Sequence, residues 1–133
     1  MRVYLDACIL IFLVEEHAEY HPRIDQAMRD RSGIEIAYTG LTRMESRIKP
    51  MRDGDAVLLN RFDRFLANPR HYLIPTSLAV FDIATELRAR HNLKTPDAIH
   101  LAAAISDECD EFWTNDKRLE KAADSRITLV TFA

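Results

Sequence analysis

The feature that most constrains the fold is a regular alternation of short apolar runs with longer segments of helical periodicity. The β-prone runs occupy positions 3–5, 34–38, 72–74, 111–114 and 127–132. Strands that alternate with helices along a chain usually build a parallel sheet that is covered by helices on both faces. The sequence therefore predicts a three-layer α/β/α fold around a central, mostly parallel sheet of about five strands.

Helix signals lie between the predicted strands. Pro22 and Pro96 stand where a first helical turn tolerates proline, and Ser77 is a suitable N-cap residue. We predict helices over residues 9–14, 20–30, 42–48, 55–67, 77–91, 95–105 and 117–123. A chain of 133 residues can bury one continuous core, so we expect one domain over residues 1–133.

Charge and composition exclude several classes of protein. The net charge of −3 does not favour a uniformly basic surface that condenses on nucleic acid. Cys8 and Cys109 lack the spacing of a zinc site and are expected to be reduced, small core residues. Asp6 interrupts the apolar run that a signal peptide needs, and no stretch has the length of a membrane span. We expect a soluble, cytoplasmic protein without a membrane partner.

Four carboxylates fall where a site in a parallel sheet requires them. Asp6 follows the first strand, Glu45 follows the second, Asp97 lies in a first helical turn, and Asp116 follows the fourth strand. Strand ends and helix beginnings meet at one edge of such a sheet. Clustered carboxylates persist when a cation neutralises them, and their hard oxygen atoms select Mg²⁺ or Mn²⁺. Metal-assisted hydrolysis of a phosphodiester is the chemistry that this predicts.

Each acid also has a purely structural interpretation. Asp6 is a possible cap of the next helix, and Thr42 with Glu45 has the spacing of a capping box. Asp97 is favoured by the helix dipole, and Asp116 is a common turn residue. None of these interpretations predicts that all four acids face the same edge.

The ordered motifs around these acids resemble those of PIN-domain ribonucleases, in particular the VapC toxin family, along essentially the whole chain. The matching segments are Val-Tyr-Leu-Asp6-Ala-Cys-Ile-Leu-Ile, Leu-Thr-Arg-Met-Glu45-Ser, Thr95-Pro96-Asp97-Ala-Ile-His-Leu-Ala and Trp-Thr-Asn-Asp116. Two positions depart from the pattern, because Ala7 and Cys8 stand where the family commonly has polar residues.

The resemblance implies a metal-dependent endoribonuclease that acts as the toxin of a toxin–antitoxin pair. It implies that Asp6, Glu45, Asp97 and Asp116 bind Mg²⁺ or Mn²⁺, with Thr114 and Asn115 shaping the last turn. It further implies an RNA substrate, a VapB-like antitoxin lying across the acidic groove, a homodimer, and DNA contact only through the antitoxin.

Two basic clusters flank the predicted acidic groove. Arg43 and Arg47 lie on either side of Glu45, and Lys117 and Arg118 follow Asp116 directly. They are either RNA phosphate contacts or solvated surface residues, and the sequence does not separate the two. His100 is expected to pack at the edge of the core rather than to act as a general base, because metal-bound water ionises without a histidine.

Other functions lose a required residue or remain open. A haloacid-dehalogenase-type phosphatase needs a second aspartate two positions after the first, where this chain has Cys8. A receiver-type signalling domain needs adjacent acids early in the chain and a phosphoacceptor on a middle strand, and the third strand ends in Ile74-Pro75. An RNA-processing PIN nuclease without a toxin role and a catalytically idle PIN-like interaction module remain as alternatives.

Overall fold

The alternation of strands and helices predicted from the sequence is confirmed by a computed structural model, which describes residues 1–133. The strands are β1 (Arg2–Leu5), β2 (Glu35–Tyr38), β3 (Tyr72–Leu73), β4 (Glu111–Thr114) and β5 (Thr128–Thr131). The helices are α1 (Ala7–Val14), α2 (Tyr20–Arg29), α3 (Gly40–Arg52), α4 (Ala56–Leu66), α5 (Leu78–His91), α6 (Thr95–Ser106) and α7 (Glu120–Ala123), with a 3-10 helix at Lys117–Leu119.

The helix boundaries follow local signals. Pro96 lies in the first turn of α6, where its missing N–H costs no helical hydrogen bond. Helix α5 ends at Asn92, whose φ of 53° places it in the left-handed region that asparagine tolerates. Residues 117–123, predicted as one short helix, divide into the 3-10 helix and α7 because Asp116 caps the tighter first turn.

The sheet is entirely parallel, with the strand order β3-β2-β1-β4-β5. The first strand is therefore central, with Val3 in register with Ile36 of β2 on one side and Glu111 of β4 on the other. The chain proceeds outward from β1 in one direction and then returns to the other side through β4. The carboxyl ends of β1 and β4 thus border the crevice where parallel sheets bind ligands.

The two faces of β1 are buried by different helices. Val3 and Leu5 pack with α1 and α2, whereas Tyr4 points to the opposite face and packs with residues of α5, α6 and α7. Successive side chains of a strand alternate between faces, so a continuous apolar strand requires cover on both. The predicted three-layer α/β/α arrangement is confirmed.

Helix α6 is embedded in the core, and four of its buried residues are small. Ala98, Ala102, Ala103 and Ala104 are all fully buried in one apolar cluster. Close packing of these residues leaves little room for the helix to shift. The amino end of α6, with Asp97, is therefore held at the carboxyl edge of the sheet.

The structure also describes the state of the two cysteines and the apolar character of the helices. Both cysteines are free, and burial raises the pKa of the Cys8 thiol to about 11 and that of the Cys109 thiol to about 12. None of the helices combines the length and the apolar character needed to cross a lipid bilayer.

Helix α4 provides a test of the packing. Phe62 is 1% exposed and joins Leu10, Val14 and Tyr38 in one apolar cluster, whereas Val57 on the same helix is 75% exposed. We expect Phe62→Ala to lower the free energy of unfolding by about 3–5 kcal/mol, because it removes a buried ring and leaves a cavity. The control Val57→Ala should change it by less than about 0.5 kcal/mol in the same urea titrations. Similar losses for the two variants would contradict this packing.

Candidate active site

The first acid of the site is fixed directly after the central strand. The backbone N–H of Asp6 donates to the Trp113 carbonyl oxygen at 3.0 Å, which extends the pairing of β1 with β4 by one residue. Its Oδ1 accepts from the Ala7 N–H at 2.9 Å, and its Oδ2 accepts from the Thr114 hydroxyl at 2.7 Å. Asp6 therefore does cap α1, while its other oxygen is held toward the end of β4.

The end of β4 carries the second acid. Thr114 is fully buried, and its Oγ1 also accepts from the backbone N–H of Asp116 at 3.2 Å. The Asp116 carboxylate accepts a hydrogen bond from the Arg118 backbone N–H. It also accepts two from the Arg118 guanidinium, from Nε at 2.9 Å and from Nη2 at 2.7 Å. Hydrogen bonding to Arg118 lowers the pKa of Asp116. The threonine hydroxyl therefore links the two strand-end acids.

Asp97 completes a group of three acids on separate elements. It lies in the first turn of α6 and is half-buried. Its pKa is raised, first by burial and then by the negative charges of Asp6 and Asp116. The three carboxylates therefore share one electrostatic environment at the crevice between β1 and β4.

Glu45 joins the site through a histidine. His100 lies three residues after Asp97 on α6 and is 1% exposed. Its Nε2 contacts Glu45 Oε1 in a short hydrogen bond and lies 3.8 Å from Asp6 Oδ1. Glu45 from α3 is thus brought to the edge that holds the other acids. His100 packs in the core as its sequence context predicts, whereas no sequence pattern indicated its contact with Glu45.

The capping-box interpretation of Glu45 is wrong. Helix α3 begins at Gly40, so its N-cap is Thr39, and the reciprocal partner of Thr39 is Thr42. The Thr42 hydroxyl oxygen accepts from the Thr39 N–H at 3.2 Å. Since α3 starts earlier than the sequence pattern predicted, Glu45 lies beyond the first turn and its carboxylate is free to face the site.

The two basic clusters have different environments. Arg43 and Arg47 lie roughly 200° around α3 from Glu45, and both pair with Asp63 of α4, at 3.6 and 2.8 Å. Lys117 is exposed beside the acids. The structure thus brings one of the two predicted clusters next to the site and turns the other toward α4.

A cleft of about 220 Å³ adjoins Asp97 and Asp116. Its lining includes two cations, Lys94 and Arg118, together with the loop that joins α5 to α6. Lys94 was not among the residues that the sequence singled out, because it has no basic neighbour and precedes the motif around Asp97. Its positive charge helps to lower the pKa of Asp116.

Carboxylate oxygens are the ligands that a hard divalent cation prefers. In this structure, however, no three acidic, histidine or cysteine side chains are arranged as a metal-binding group. The acids are instead hydrogen-bonded to other side chains: Glu45 to His100 and Asp116 to Arg118. The Oδ1 atom of Asn115, next to Asp116, is buried without any hydrogen-bond donor. Repelling carboxylates beside an unsatisfied oxygen are chemically suited to a cation.

Comparison with solved structures identifies the fold. The chain is similar to VapBC2 from Rickettsia felis, crystallised with a promoter DNA fragment, with a TM-score of 0.78, 16% identity and 100% of both chains covered. A toxin-antitoxin complex from Klebsiella pneumoniae gives a TM-score of 0.75 and 25% identity over 97% of this chain and 96% of that chain. FitAcB from Neisseria gonorrhoeae gives a TM-score of 0.69 and 14% identity, with coverage of 97% and 96%.

Comparison of sequences assigns the family. No curated protein matches the chain significantly. The model of the PIN domain, however, matches residues 3–125, which include β2, β3, β4, all of β1 except Arg2, and all the acids of the site. The chain therefore belongs to the PIN domain family.

Proposed function

We propose that the protein is a metal-dependent endoribonuclease that hydrolyses phosphodiester bonds of RNA. PIN domains are generally nucleases. The observation that carries the proposal is the convergence of acids from three different elements: the Thr114 hydroxyl joins Asp6 to the backbone of Asp116, and Asp116 lines one cleft with Asp97. Acids that serve only as caps or turn residues have no reason to converge, whereas metal-dependent hydrolysis requires them to do so.

In this proposal Asp6, Glu45, Asp97 and Asp116 hold Mg²⁺ or Mn²⁺. The bound cation would supply an activated water and offset the negative charge that develops on the phosphate. Thr114 positions Asp6 and the backbone of Asp116, and Asn115 offers an additional oxygen beside them. Arg118 bonds both oxygens of Asp116, so Asp116 would give up part of this contact to hold the cation.

RNA binding is assigned to the cationic side of the cleft. Lys94 and Arg118 line the cleft with Asp97 and Asp116, and the exposed Lys117 directly follows Asp116 in the chain, so these cations would bind RNA phosphates near the acids. Arg43 and Arg47 are already paired with Asp63, so their predicted role in RNA binding has less support.

The toxin role rests on the similar solved structures. The VapBC2 structure and the Klebsiella pneumoniae complex bear toxin–antitoxin names and match this chain over nearly its full length. We extend this to a cognate VapB-like antitoxin that covers the acidic groove and inserts an arginine or lysine among the carboxylates. DNA contact would come only through that antitoxin, and the toxin would form a homodimer.

Asparagine substitutions test the nuclease. With Mn²⁺ or Mg²⁺ and labelled structured RNA, the wild-type protein should cleave, and EDTA should abolish cleavage. Asp6→Asn and Asp97→Asn should each lower kcat by more than about 100-fold, because each removes a charged ligand. The control Asp30→Asn lies on an exposed residue after α2 and should cleave normally. Cleavage by Asp6→Asn at the wild-type rate would refute the mechanism.

The raised pKa of Asp97 predicts an effect on stability. The folded protein holds the Asp97 proton more tightly than the unfolded chain, so its contribution to stability decreases as pH rises through the aspartate range. At neutral pH and without metal, Asp97→Asn should therefore melt at a higher temperature than the wild type. The difference should vanish in acid, where the wild-type carboxyl is protonated.

Divalent cations should reverse that order in the same melting experiment. A cation that binds only the folded wild type adds about 2.7 kcal/mol at a concentration 100-fold above its Kd. Mg²⁺ or Mn²⁺ should raise the wild-type melting temperature and leave that of Asp97→Asn nearly unchanged. An equal rise for both proteins would place the cation elsewhere.

Expression in a bacterial host tests the toxin role separately. Inducing the wild-type protein should arrest growth, Asp6→Asn should not, and co-expression of a small protein encoded next to this chain should restore growth. A purified protein that cleaves RNA but never affects growth would support an RNA-processing nuclease without a toxin role.

A further inference from the structure

A directional chain of hydrogen bonds runs from the core to the floor of the candidate active site. Its last member is His100, a fully buried ring that lies between acids from two different elements. One ring nitrogen contacts Glu45 and the other contacts Tyr4 of the central strand, with Nδ1 2.7 Å from the Tyr4 hydroxyl. Neither PIN-domain catalysis as proposed above nor core packing requires a polar chain at this position.

The chain begins at the N-terminus of α3. Thr39 Oγ1 accepts from the Leu41 N–H at 3.2 Å, and Thr42 Oγ1 accepts from the Thr39 N–H at 3.2 Å. Each hydroxyl keeps a proton to donate, and the Tyr4 hydroxyl lies 3.1 Å from Thr39 Oγ1 and 3.2 Å from Thr42 Oγ1. Both threonine hydroxyls are therefore able to donate to the tyrosine oxygen, which has two lone pairs.

The direction of the next bond follows from the donors assigned to the first two. When both threonines donate to the Tyr4 oxygen, its own proton is directed to Nδ1 of His100. An acceptor at Nδ1 leaves the ring proton of His100 on Nε2, which faces Glu45 Oε1. In this arrangement the N-terminus of α3 favours the tautomer that donates to the acid.

Aromatic packing makes this arrangement rigid. Tyr4 is fully buried and stacks on Phe112, with ring centroids 5.3 Å apart and an interplanar angle of 5°. His100 meets the Tyr4 ring edge-on at 5.7 Å. Neither ring can turn without disturbing the core between the sheet and α6.

We propose that His100, oriented by Tyr4, is a positioning residue that fixes the Glu45 carboxylate in the acidic cluster. This inference rests on the proposed nuclease function and names a residue that supports it. Glu45 is a long, partly exposed side chain on α3, and without a fixed donor its carboxylate would sample several rotamers. A group that orients a ligand commonly changes metal affinity or activity about 10- to 100-fold when it is removed.

Two amide substitutions separate positioning from packing. His100→Gln places an amide N–H near the position of Nε2 and can still reach Glu45. His100→Asn leaves an oxygen near the position of Nδ1 for Tyr4 but is too short to reach Glu45. Both replace the ring by a smaller polar group, so a purely structural role would affect the two variants alike.

The readouts are Mn²⁺ affinity by calorimetry, with the metal alone as the probe, and kcat and KM for RNA cleavage. We expect His100→Asn to weaken Mn²⁺ binding or lower kcat about 10- to 100-fold and His100→Gln to stay within a few-fold of wild type. KM should change little, because the buried ring does not reach the RNA. Equal losses in the two variants, or none in either, would overturn the positioning role.

The isosteric variant Tyr4→Phe provides an independent measurement if either amide variant folds poorly. It removes only the hydroxyl that directs the His100 proton and should lower Mn²⁺ affinity several-fold, while circular dichroism verifies the fold. Wild-type affinity in Tyr4→Phe would overturn the directional chain. A wild-type protein that binds Mn²⁺ but cleaves no RNA would contradict the proposed nuclease function, whereas the Mn²⁺ affinities would still decide the role of His100.

Discussion

The parallel pairing of β1 with β4 is the constraint on which the rest of the structure depends. It places Leu5 beside Trp113, so the residues that follow, Asp6 and Thr114, meet at the same edge. The chain leaves β1 toward β2 and β3 and returns on the other side at β4, which opens a crevice between the carboxyl ends of β1 and β4. Every acid of the candidate site borders this crevice or reaches it through a neighbour. A different strand order with the same elements would separate them.

The site keeps like charges together by giving three of the four acids a hydrogen-bond donor. Asp6 accepts from the Thr114 hydroxyl and from the first N–H of α1, Asp116 accepts from Arg118, and Glu45 is hydrogen-bonded to His100. The charge of Asp97 is the least compensated of the four, because burial and the negative charges of Asp6 and Asp116 raise its pKa. Such a cluster is electrostatically unfavourable on its own, and the metal site proposed above would offset that cost.

The polar chain through Tyr4 also shows how the core and the site are coupled. A central strand that is buried on both faces normally carries only apolar side chains, yet β1 places a tyrosine hydroxyl among two threonines and a histidine. All of these polar atoms have partners, so the network adds specificity without leaving a buried group unsatisfied. Helix α6 supplies both Asp97 and His100, which lie on successive turns. One well-packed helix therefore positions an acid of the site and also the histidine that contacts a second acid, Glu45.

Local patterns in the sequence determined the elements, because apolar periodicity, N-cap residues and prolines act over a few positions and are legible without the fold. They placed nearly every strand and helix, and the positions of Asp6, Asp97 and Asp116 followed from strand ends and a first helical turn. Contacts between distant residues were decided only by the tertiary structure. Helix α3 begins at Gly40 with Thr39 as its N-cap, which leaves Glu45 without a capping role. Asp63 pairs with Arg43 and Arg47, and His100 contacts Glu45. Such pairings depend on the distances and angles at which packed elements meet, and no local sequence pattern encodes those.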